Sequence, residues 1–210
     1  QATGNGDGVK FKPSDRSDAE NYLFLLSAIV PRPIAFVSTV GPSGVFNLAP
    51  FSFYNGVCAI PPILSLSIAY RDGEKKDTLV NIEQSREFVV NIVTEAIAPA
   101  MNAASANLPS NISEFDQVGL TTVPAEIVKA PLVLESPINL ECKLHQLIPV
   151  GAPPHGATLV LGEVVYFHIK EEALDHQRID MKKLKAVGRM GGEEYTRTGD
   201  LFKMKRPRTR

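Results

Sequence analysis

The chain has few cysteines, almost no excess charge and no long apolar segment, and each absence argues against a class of protein. Its only cysteines, Cys58 and Cys142, lie far apart in apolar or strand-like surroundings, which favours buried thiols in a reducing compartment. We therefore expect a cytoplasmic protein. The formal net charge of -1 gives no broad attraction to nucleic acid or to an anionic membrane. No apolar run approaches membrane-spanning length, and the first residues lack a signal-peptide pattern.

Several catalytic motifs are also missing. The sequence contains no GxxxxGK[ST] loop, no GxGxxG between a strand and a helix, no GxSxG and no HExxH. The four histidines have no metal-ligand spacing, and the cysteines form no CxxC pair. These absences argue against P-loop nucleotide hydrolysis, serine-triad hydrolysis and zinc catalysis, and we predict no metal site.

The size and composition predict a single domain. A chain of 210 residues with 44% hydrophobic residues is long enough to bury one sizeable core, and it shows no internal repeat. We assign residues 1–18 to a flexible polar tail, residues 19–207 to the domain and residues 208–210 to a basic C-terminal end. The cations from Lys203 to Arg210 are typical of a solvated terminus rather than an RNA-binding arm.

The stretch from Pro31 to Tyr54 predicts a β-hairpin. Ile34 to Val37 begins a strand, residues 41–44 (GPSG) form a turn signal, and residues 45–52 return. Because Pro50 cannot donate to a sheet ladder, it should lie at an edge, a bulge or a strand end. Small polar side chains gather at one end of this hairpin: Ser38, Thr39, Asn47 and Ser52. Such a group suits the polar edge of a flat aromatic ligand.

A second candidate site precedes a predicted helix. The helix runs from Asp77 or Thr78, either of which can cap it, to about Ser85. Three cations come immediately before it: Arg71, Lys75 and Lys76. Unpaired N–H groups, a helix dipole and nearby cations together make a phosphate site. Taken alone, the stretch fits a plain helix cap after a solvated charged loop better.

The remainder of the chain indicates mainly β structure. We predict further strands over residues 63–68, 87–93, 132–135, 138–147 and 158–169, and a helix over residues 95–106 capped by Thr94. Residues 55–62, 107–119, 149–156 and 186–192 are predicted to be loops or irregular, and residues 175–185 a short helix or turn. At least six or seven strands with two inserted helices favour an antiparallel β-barrel over a doubly wound parallel sheet.

Ordered motifs along the chain resemble the flavin reductase-like family of FMN-binding split-barrel proteins. They are PRP at 31–33, FVST at 36–39, NLAPxS at 47–52, KDT at 76–78, FVVN at 88–91, SAN at 105–107, EF at 114–115, LGEVV at 161–165 and GRxGGxxY at 188–195. The resemblance covers roughly Asn21 to Pro207. It implies a split β-barrel that acts as a homodimer and binds FMN, rather than FAD, near the dimer interface.

The resemblance also implies site residues. The isoalloxazine and ribityl side of FMN would contact Ser38, Thr39, Asn47, Leu48, Ala49 and Ser52, and its phosphate would contact Arg71, Lys76, Asp77 and Thr78. No catalytic side chain is assigned. His155 resembles a histidine on the nicotinamide side of some members, although a surface-loop histidine is an alternative. Arg189 and Tyr195 either close the site or belong to a packed C-terminal arm, and Phe51, Phe53 and Tyr54 either stack on the ring or serve the core.

The function implied is hydride transfer from NAD(P)H to flavin and on to free flavin, oxygen or a partner monooxygenase. Such transfer needs stacking and alignment but no protein acid or base, so the lack of a catalytic dyad is compatible with it. The first alternative is a flavoredoxin-like electron-transfer protein without its own NAD(P)H reductase activity. The second is a flavin-free split barrel that binds haem or acts as an interaction module.

Overall fold

The computed structural model describes residues 8–207, in which an antiparallel sheet is the main element. Its helices are α1 Asp18–Ala28, α2 Asp77–Ser85, α3 Ala98–Ala103, α4 Glu114–Val118 and α5 Met181–Leu184. Its strands are β1 Ala35–Val40, β2 Phe46–Phe51, β3 Tyr54–Ala59, β4 Pro62–Ala69, β5 Glu87–Ile92, β6 Thr122–Val123, β7 Leu132–Val133, β8 Ile138–Val150, β9 Ala157–Ile169, β10 Leu174–Asp175, β11 Arg178–Ile179, β12 Val187–Arg189 and β13 Tyr195–Arg197. Short 3-10 turns cover Pro13–Asp15 and Glu171–Ala173.

Seven strands form one sheet in the order β2-β1-β5-β8-β9-β4-β3, and the largest apolar cluster of the described residues forms its interior. That interior takes side chains from β1, β2, β4, β5, β8 and β9, and Leu79 and Ile82 of α2 pack into it. On β4 and β9 the apolar alternation sets the register, since Leu66 lies opposite Val160 and both are buried. The predicted mainly β, antiparallel barrel is therefore confirmed.

One glycine of β9 shows how tightly the interior is packed. A Cβ atom at Gly162 would lie 2.4 Å from Cζ of Phe88, a side chain that is fully buried. Only glycine fits there without displacement of the Phe88 ring.

A second apolar cluster lies on the outer face of the hairpin. Phe36 of β1 and Leu48 of β2 pack there against Met101 of α3 and Phe115 of α4. This cluster fixes the two short helices against β2, which is the strand that carries several of the predicted site residues.

The hairpin prediction is confirmed, because β1 and β2 pair antiparallel from Ala35–Phe51 to Val40–Phe46. Gly44 closes the turn with a φ of +83°, a conformation that favours glycine. Pro50 lies on β2, an edge strand of the sheet, as its missing N–H required.

Several local predictions are wrong. Residues 55–59 belong to β3 rather than a loop; this edge strand is exposed, so it has no apolar alternation. Thr94 does not cap a helix, because it forms a β-bridge with Ala186, and α3 begins only at Ala98. Glu114 to Val118 form a helix of five residues, too short to show a periodic pattern. Residues 187–189 form β12, which is held by pairing with β13.

The segments outside the sheet complete the description. Ser17 caps α1 by accepting a hydrogen bond from the Glu20 amide, and Phe11 packs against Phe24 with ring centroids 4.8 Å apart. Residues 1–7 and 208–210 lie outside the described residues, so the assignments of a flexible tail and a basic end stay predictions. Between residues 8 and 207, every helix is too short or too polar to cross a membrane.

The two cysteines differ in burial. Cys142 is buried in the barrel interior, as expected, but Cys58 is exposed on β3, so the expectation of burial was wrong for it. Neither forms a disulfide.

Candidate functional site

A cavity of about 300 Å³ lies where the N-terminus of α2 meets the end of β2. It brings together both predicted stretches. Asn47 and Ala49 line it from β2, and Arg71, Lys76, Asp77 and Thr78 line it from the turn before α2 and from the helix itself. The two sets of residues, roughly 20 to 30 positions apart in the chain, thus share one cavity.

The start of α2 leaves backbone donors at this cavity. The N-cap is Lys76 and makes no side-chain cap bond, so the prediction that Asp77 or Thr78 caps the helix is wrong. The amides of Asp77 and Thr78 have no acceptor among residues 8–207, as expected for the first turn of an uncapped helix. Such amides, together with the helix dipole, favour a bound anion.

A hydrogen-bond network locks the hairpin to the helix. Asn47 Nδ2 donates to Thr78 Oγ1 over 2.9 Å and lies 3.3 Å from Thr39 Oγ1. Asn81 Nδ2 also donates to Thr39 Oγ1, over 3.0 Å. Thr39 itself is fully buried, so it supports the cavity wall through Asn47 rather than lining the cavity.

Cations give the cavity its positive side. Burial and the nearby charge of Arg71 lower the pKa of the Lys76 ammonium, which lies 5.5 Å from the centroid of the Phe51 ring. Lys75 is different, because its ammonium contacts both carboxylate oxygens of Glu83, at 2.7 and 2.8 Å. Lys76 and Arg71 are in no ion pair within the described residues, so their charge remains available to an anionic ligand.

Glu114 gives the same cavity a buried carboxyl group. Its Oε2 accepts a hydrogen bond from the Leu48 amide over 2.9 Å. Burial raises the pKa of Glu114, the Leu48 amide opposes that rise, and the charge of Asp77 adds to it. The cavity therefore holds this carboxyl group in a setting that disfavours its negative charge.

Besides Thr39, three more of the predicted contacts lie outside this cavity. The Ser38 hydroxyl is fully buried, donates to the Pro131 carbonyl and accepts from Asn91. The Leu48 side chain is buried in the outer apolar cluster. Ser52 accepts a hydrogen bond from Arg32 and lines a neighbouring cavity instead.

His155 also lies outside the cavity. It is exposed in the loop between β8 and β9, and the neighbouring Pro154 lies next to Gly73 in the turn before α2. Gly156 accepts a hydrogen bond from the Tyr70 amide over 2.9 Å, which holds the loop in that place. The nicotinamide-side role of His155 stays a prediction.

Sequence reasoning assigned no ligand role to several residues that line the cavity. They are Pro50, Glu74, Ala104, Ser105, Ala106, Leu108 and Glu114, with Phe51 left undecided between ring stacking and the core. Lys75 also lines the cavity and was one of the three cations of the candidate phosphate site. Two motifs in the sequence could have indicated some of these residues. The SAN motif at 105–107 and the EF motif at 114–115 both stand in the order typical of the flavin reductase-like family. Their nearness to β2 depends on how α3 and α4 pack.

No group of three or more His, Cys, Asp or Glu side chains within residues 8–207 is arranged to hold a metal ion.

Comparison with known proteins places the chain in a family. A model of the flavin reductase-like domain matches residues 26–185, so the chain belongs to the flavin reductase-like family. It is 41% identical over 202 residues to an uncharacterised protein of Halalkalibacterium halodurans, covering 95% of this chain and 97% of that one.

Two solved structures share the fold. Nitrilotriacetate monooxygenase component B from Bacillus cereus is similar with a TM-score of 0.91 and 37% identity, over 95% of this chain and all 100% of the other. A split-barrel domain from Shewanella frigidimarina has a TM-score of 0.81 and 23% identity over 95% and 100% of the two chains. The split-barrel fold expected from the resemblance is therefore confirmed.

Proposed function

We propose that the cavity binds FMN and that the protein is an NAD(P)H-dependent flavin oxidoreductase. The observation that carries the proposal is the meeting of Asn47 and Ala49 with Lys76, Asp77 and Thr78 around one cavity. A flavin nucleotide needs a polar edge, an apolar wall and an anion site in one place. Family membership supports a flavin as the ligand.

The residues present fit the phosphate end of FMN. Lys76 and Arg71 offer cationic donors, and the Asp77 and Thr78 amides offer backbone donors. Because the Thr78 hydroxyl accepts from Asn47, its own hydrogen can point into the cavity. A terminal phosphate suits this cluster, which favours FMN over FAD.

The side chains of this protein would bind and align the reactants rather than transfer protons. Bound flavin supplies hydride acceptance from NAD(P)H and electron release to free flavin, oxygen or a monooxygenase. Phe51 and Ala49 form the apolar wall along β2, and Asn47 is fixed by its bonds to Thr78 and Thr39. The similarity to a monooxygenase component supports a partner monooxygenase as the electron acceptor.

We also propose a cytoplasmic homodimer. Helix α1 buries none of its residues, and the exposed side chains on and after it include Tyr22, Leu23, Phe24, Leu25 and Ile29. A helix whose apolar side chains stay largely exposed within the described residues supports association with a second copy. Two thiols outside any disulfide support a reducing compartment.

FMN and riboflavin, which lacks the phosphate, together test the assignment of the phosphate to the start of α2. Replacing Lys76→Met should weaken FMN binding about 30-fold, the loss of roughly 2 kcal/mol from a charged hydrogen bond, and should leave riboflavin binding unchanged. Fluorescence titration of both ligands measures this, with the exposed Lys143→Met as the matched control. If Lys76→Met binds FMN as tightly as the unmodified protein, the phosphate does not lie at α2.

A separate measurement tests the reaction. Under anaerobic conditions, addition of NADH or NADPH should bleach the visible absorbance band of the flavin in the FMN-loaded protein. Reduction by a redox protein but by neither nicotinamide would show the flavoredoxin-like alternative instead.

A further inference from the structure

A second, smaller cavity of about 190 Å³ adjoins the first beyond Pro50 and Phe51. The two cavities share those two residues and Ser105. The polar part of the second cavity's wall consists of Ser52, Asn102, Ser105, Arg189 and Tyr195, and no acidic side chain lines it.

A buried arginine without a carboxylate partner lies behind this wall. Arg32 is only 3% exposed, and its guanidinium donates to Ser52 Oγ over 3.2 Å and to the Met190 carbonyl over 2.8 Å. Its remaining bonds are to the carbonyls of Leu26 and Ile29. Arginine remains protonated in proteins, so a full positive charge is buried here among neutral acceptors.

A second arginine stands directly opposite the first. The backbones of Arg32 and Arg189 exchange two hydrogen bonds, of 2.9 and 2.8 Å, in an antiparallel bridge. Residues opposite each other in such a bridge present their side chains to the same side. Burial and the charge of Arg189 both lower the pKa of Arg32. None of the four ion pairs in the described part of the chain includes either arginine.

Side chains on the wall of the second cavity have donor hydrogens that can bind a ligand. Since Ser52 Oγ accepts from Arg32, the Ser52 hydroxyl can donate its own hydrogen into the cavity. Asn102 Oδ1 accepts from the Tyr195 hydroxyl over 3.1 Å, and its amide NH₂ has no acceptor among residues 8–207. Arg189 stacks 4.5 Å from the Tyr195 ring centroid and donates to the Gly192 carbonyl, which fixes its guanidinium at the cavity.

We propose that this second cavity binds an oxyanion, a carboxylate or a phosphate, of the molecule that exchanges electrons with the flavin. The oxyanion accepts hydrogen bonds from Arg189, Ser52 and Asn102 and provides the counter-charge that Arg32 and Arg189 lack. Its place next to the flavin depends on the proposed function, but the binding of an oxyanion does not.

Three probes that share a phenyl ring test whether binding requires a negatively charged group. Benzoate, phenyl phosphate and neutral benzamide are titrated calorimetrically into the protein with and without FMN. At least one of the two anions should bind at least tenfold tighter than benzamide, and which one does distinguishes a carboxylate-bearing from a phosphate-bearing partner. Equal binding of all three probes would overturn the proposal.

Replacing one arginine at the second cavity and one outside it tests where the anion binds. Arg189→Met should weaken binding of the preferred anion at least tenfold and leave benzamide unaffected. Arg197→Met is the control, because Arg197 lies on the paired strand β13 but is exposed and already bonded to Glu95 over 2.9 Å. Anion binding that survives Arg189→Met would place the anion elsewhere. If circular dichroism shows that Arg189→Met is unfolded, Ser52→Ala takes its place, with a loss of about fivefold expected.

The FMN titration separates the two proposals. FMN that fails to bind the unmodified protein, while Arg189 still governs anion binding, would contradict only the proposed function. In the FMN-free protein, phenyl phosphate bound at α2 should bind more weakly in the Lys76→Met variant, whereas phenyl phosphate bound at Arg189 should not.

Discussion

Ser38 and Thr39 are adjacent hydroxyl residues on opposite faces of β1, and they belong to two different polar networks. Ser38 bonds to the Pro131 carbonyl and to Asn91, which also bonds to Phe36, Val133 and Asn139. Thr39 bonds to Asn47 and Asn81, and through Asn47 it reaches Thr78 at the edge of the first cavity.

The two networks differ in whether they leave hydrogen-bond donors without an acceptor. In the Ser38 network the amide of Asn91 donates twice and its carbonyl accepts twice, all within the protein. The Thr39 network ends at a helix start whose amides have no acceptor in the described chain. A closed buried network stabilises the fold, whereas one that ends in unmatched donors at a cavity prepares a binding site.

The largest effect should come from breaking the closed network. Asn91→Ala removes four hydrogen bonds and leaves buried partners unmatched, so the free energy of unfolding should fall by about 3 kcal/mol. Thermal unfolding should show a melting temperature about 10 °C lower. The exposed Asn107→Ala is the control and should change stability little. A fall no larger than that of the control would mean that the Asn91 network contributes little to stability.

A pair of substitutions on β1 compares the networks directly. Ser38→Ala should lower the free energy of unfolding by about 1–2 kcal/mol while the FMN affinity of the folded protein stays within about twofold. Thr39→Val should weaken FMN binding about fivefold, because Asn47 loses one of its two acceptors. Denaturant unfolding and FMN titration measure the two quantities. Equal effects of both variants on FMN affinity would erase the distinction between the networks.

The smallest expected effect is the dependence of stability on pH that Glu114 causes. Its folded pKa is raised, so the native state holds the proton more tightly than the unfolded state. The free energy of unfolding should therefore fall as the pH rises from the ordinary value of 4.5 through the raised value. Glu114→Gln, which can still accept from the Leu48 amide, should flatten this part of the pH profile.

The same variant should affect the cavity. Above that pH window, Glu114→Gln should tighten FMN binding roughly threefold, because a negative charge near the phosphate is removed. A pH series of FMN titrations measures the effect. Weaker binding by Glu114→Gln at neutral pH would show that the carboxylate contacts the ligand favourably.

Much of the fold was predictable because its signals are local. The turn at Gly44, the missing N–H of Pro50 and the alternation along β4 each predicted the observed structure. Strand β3 was missed, since an exposed edge strand is held by backbone pairing and needs no apolar pattern. Helix α4 was missed because five residues are too few for a 3.6-residue period to show.

The candidate site was predictable to a smaller extent. The residue types at 47–49 and 71–78 indicated a polar edge and an anion site, and the structure brings both to one cavity. The roles of Ser38 and Thr39 could not be separated from sequence, because which hydroxyl faces which network depends on the partners that pack on each side of β1.

The sequence by itself determined the β-rich architecture, the hairpin and the cation-flanked helix start, since turn chemistry, alternation and helix signals act between neighbours in the chain. Only the tertiary structure decided that Glu114 joins the first cavity and that Arg189, on the wall of the second cavity, stands opposite the buried Arg32. Those placements depend on contacts between residues far apart in the chain, and the free energy of such contacts comes from packing rather than from local conformation.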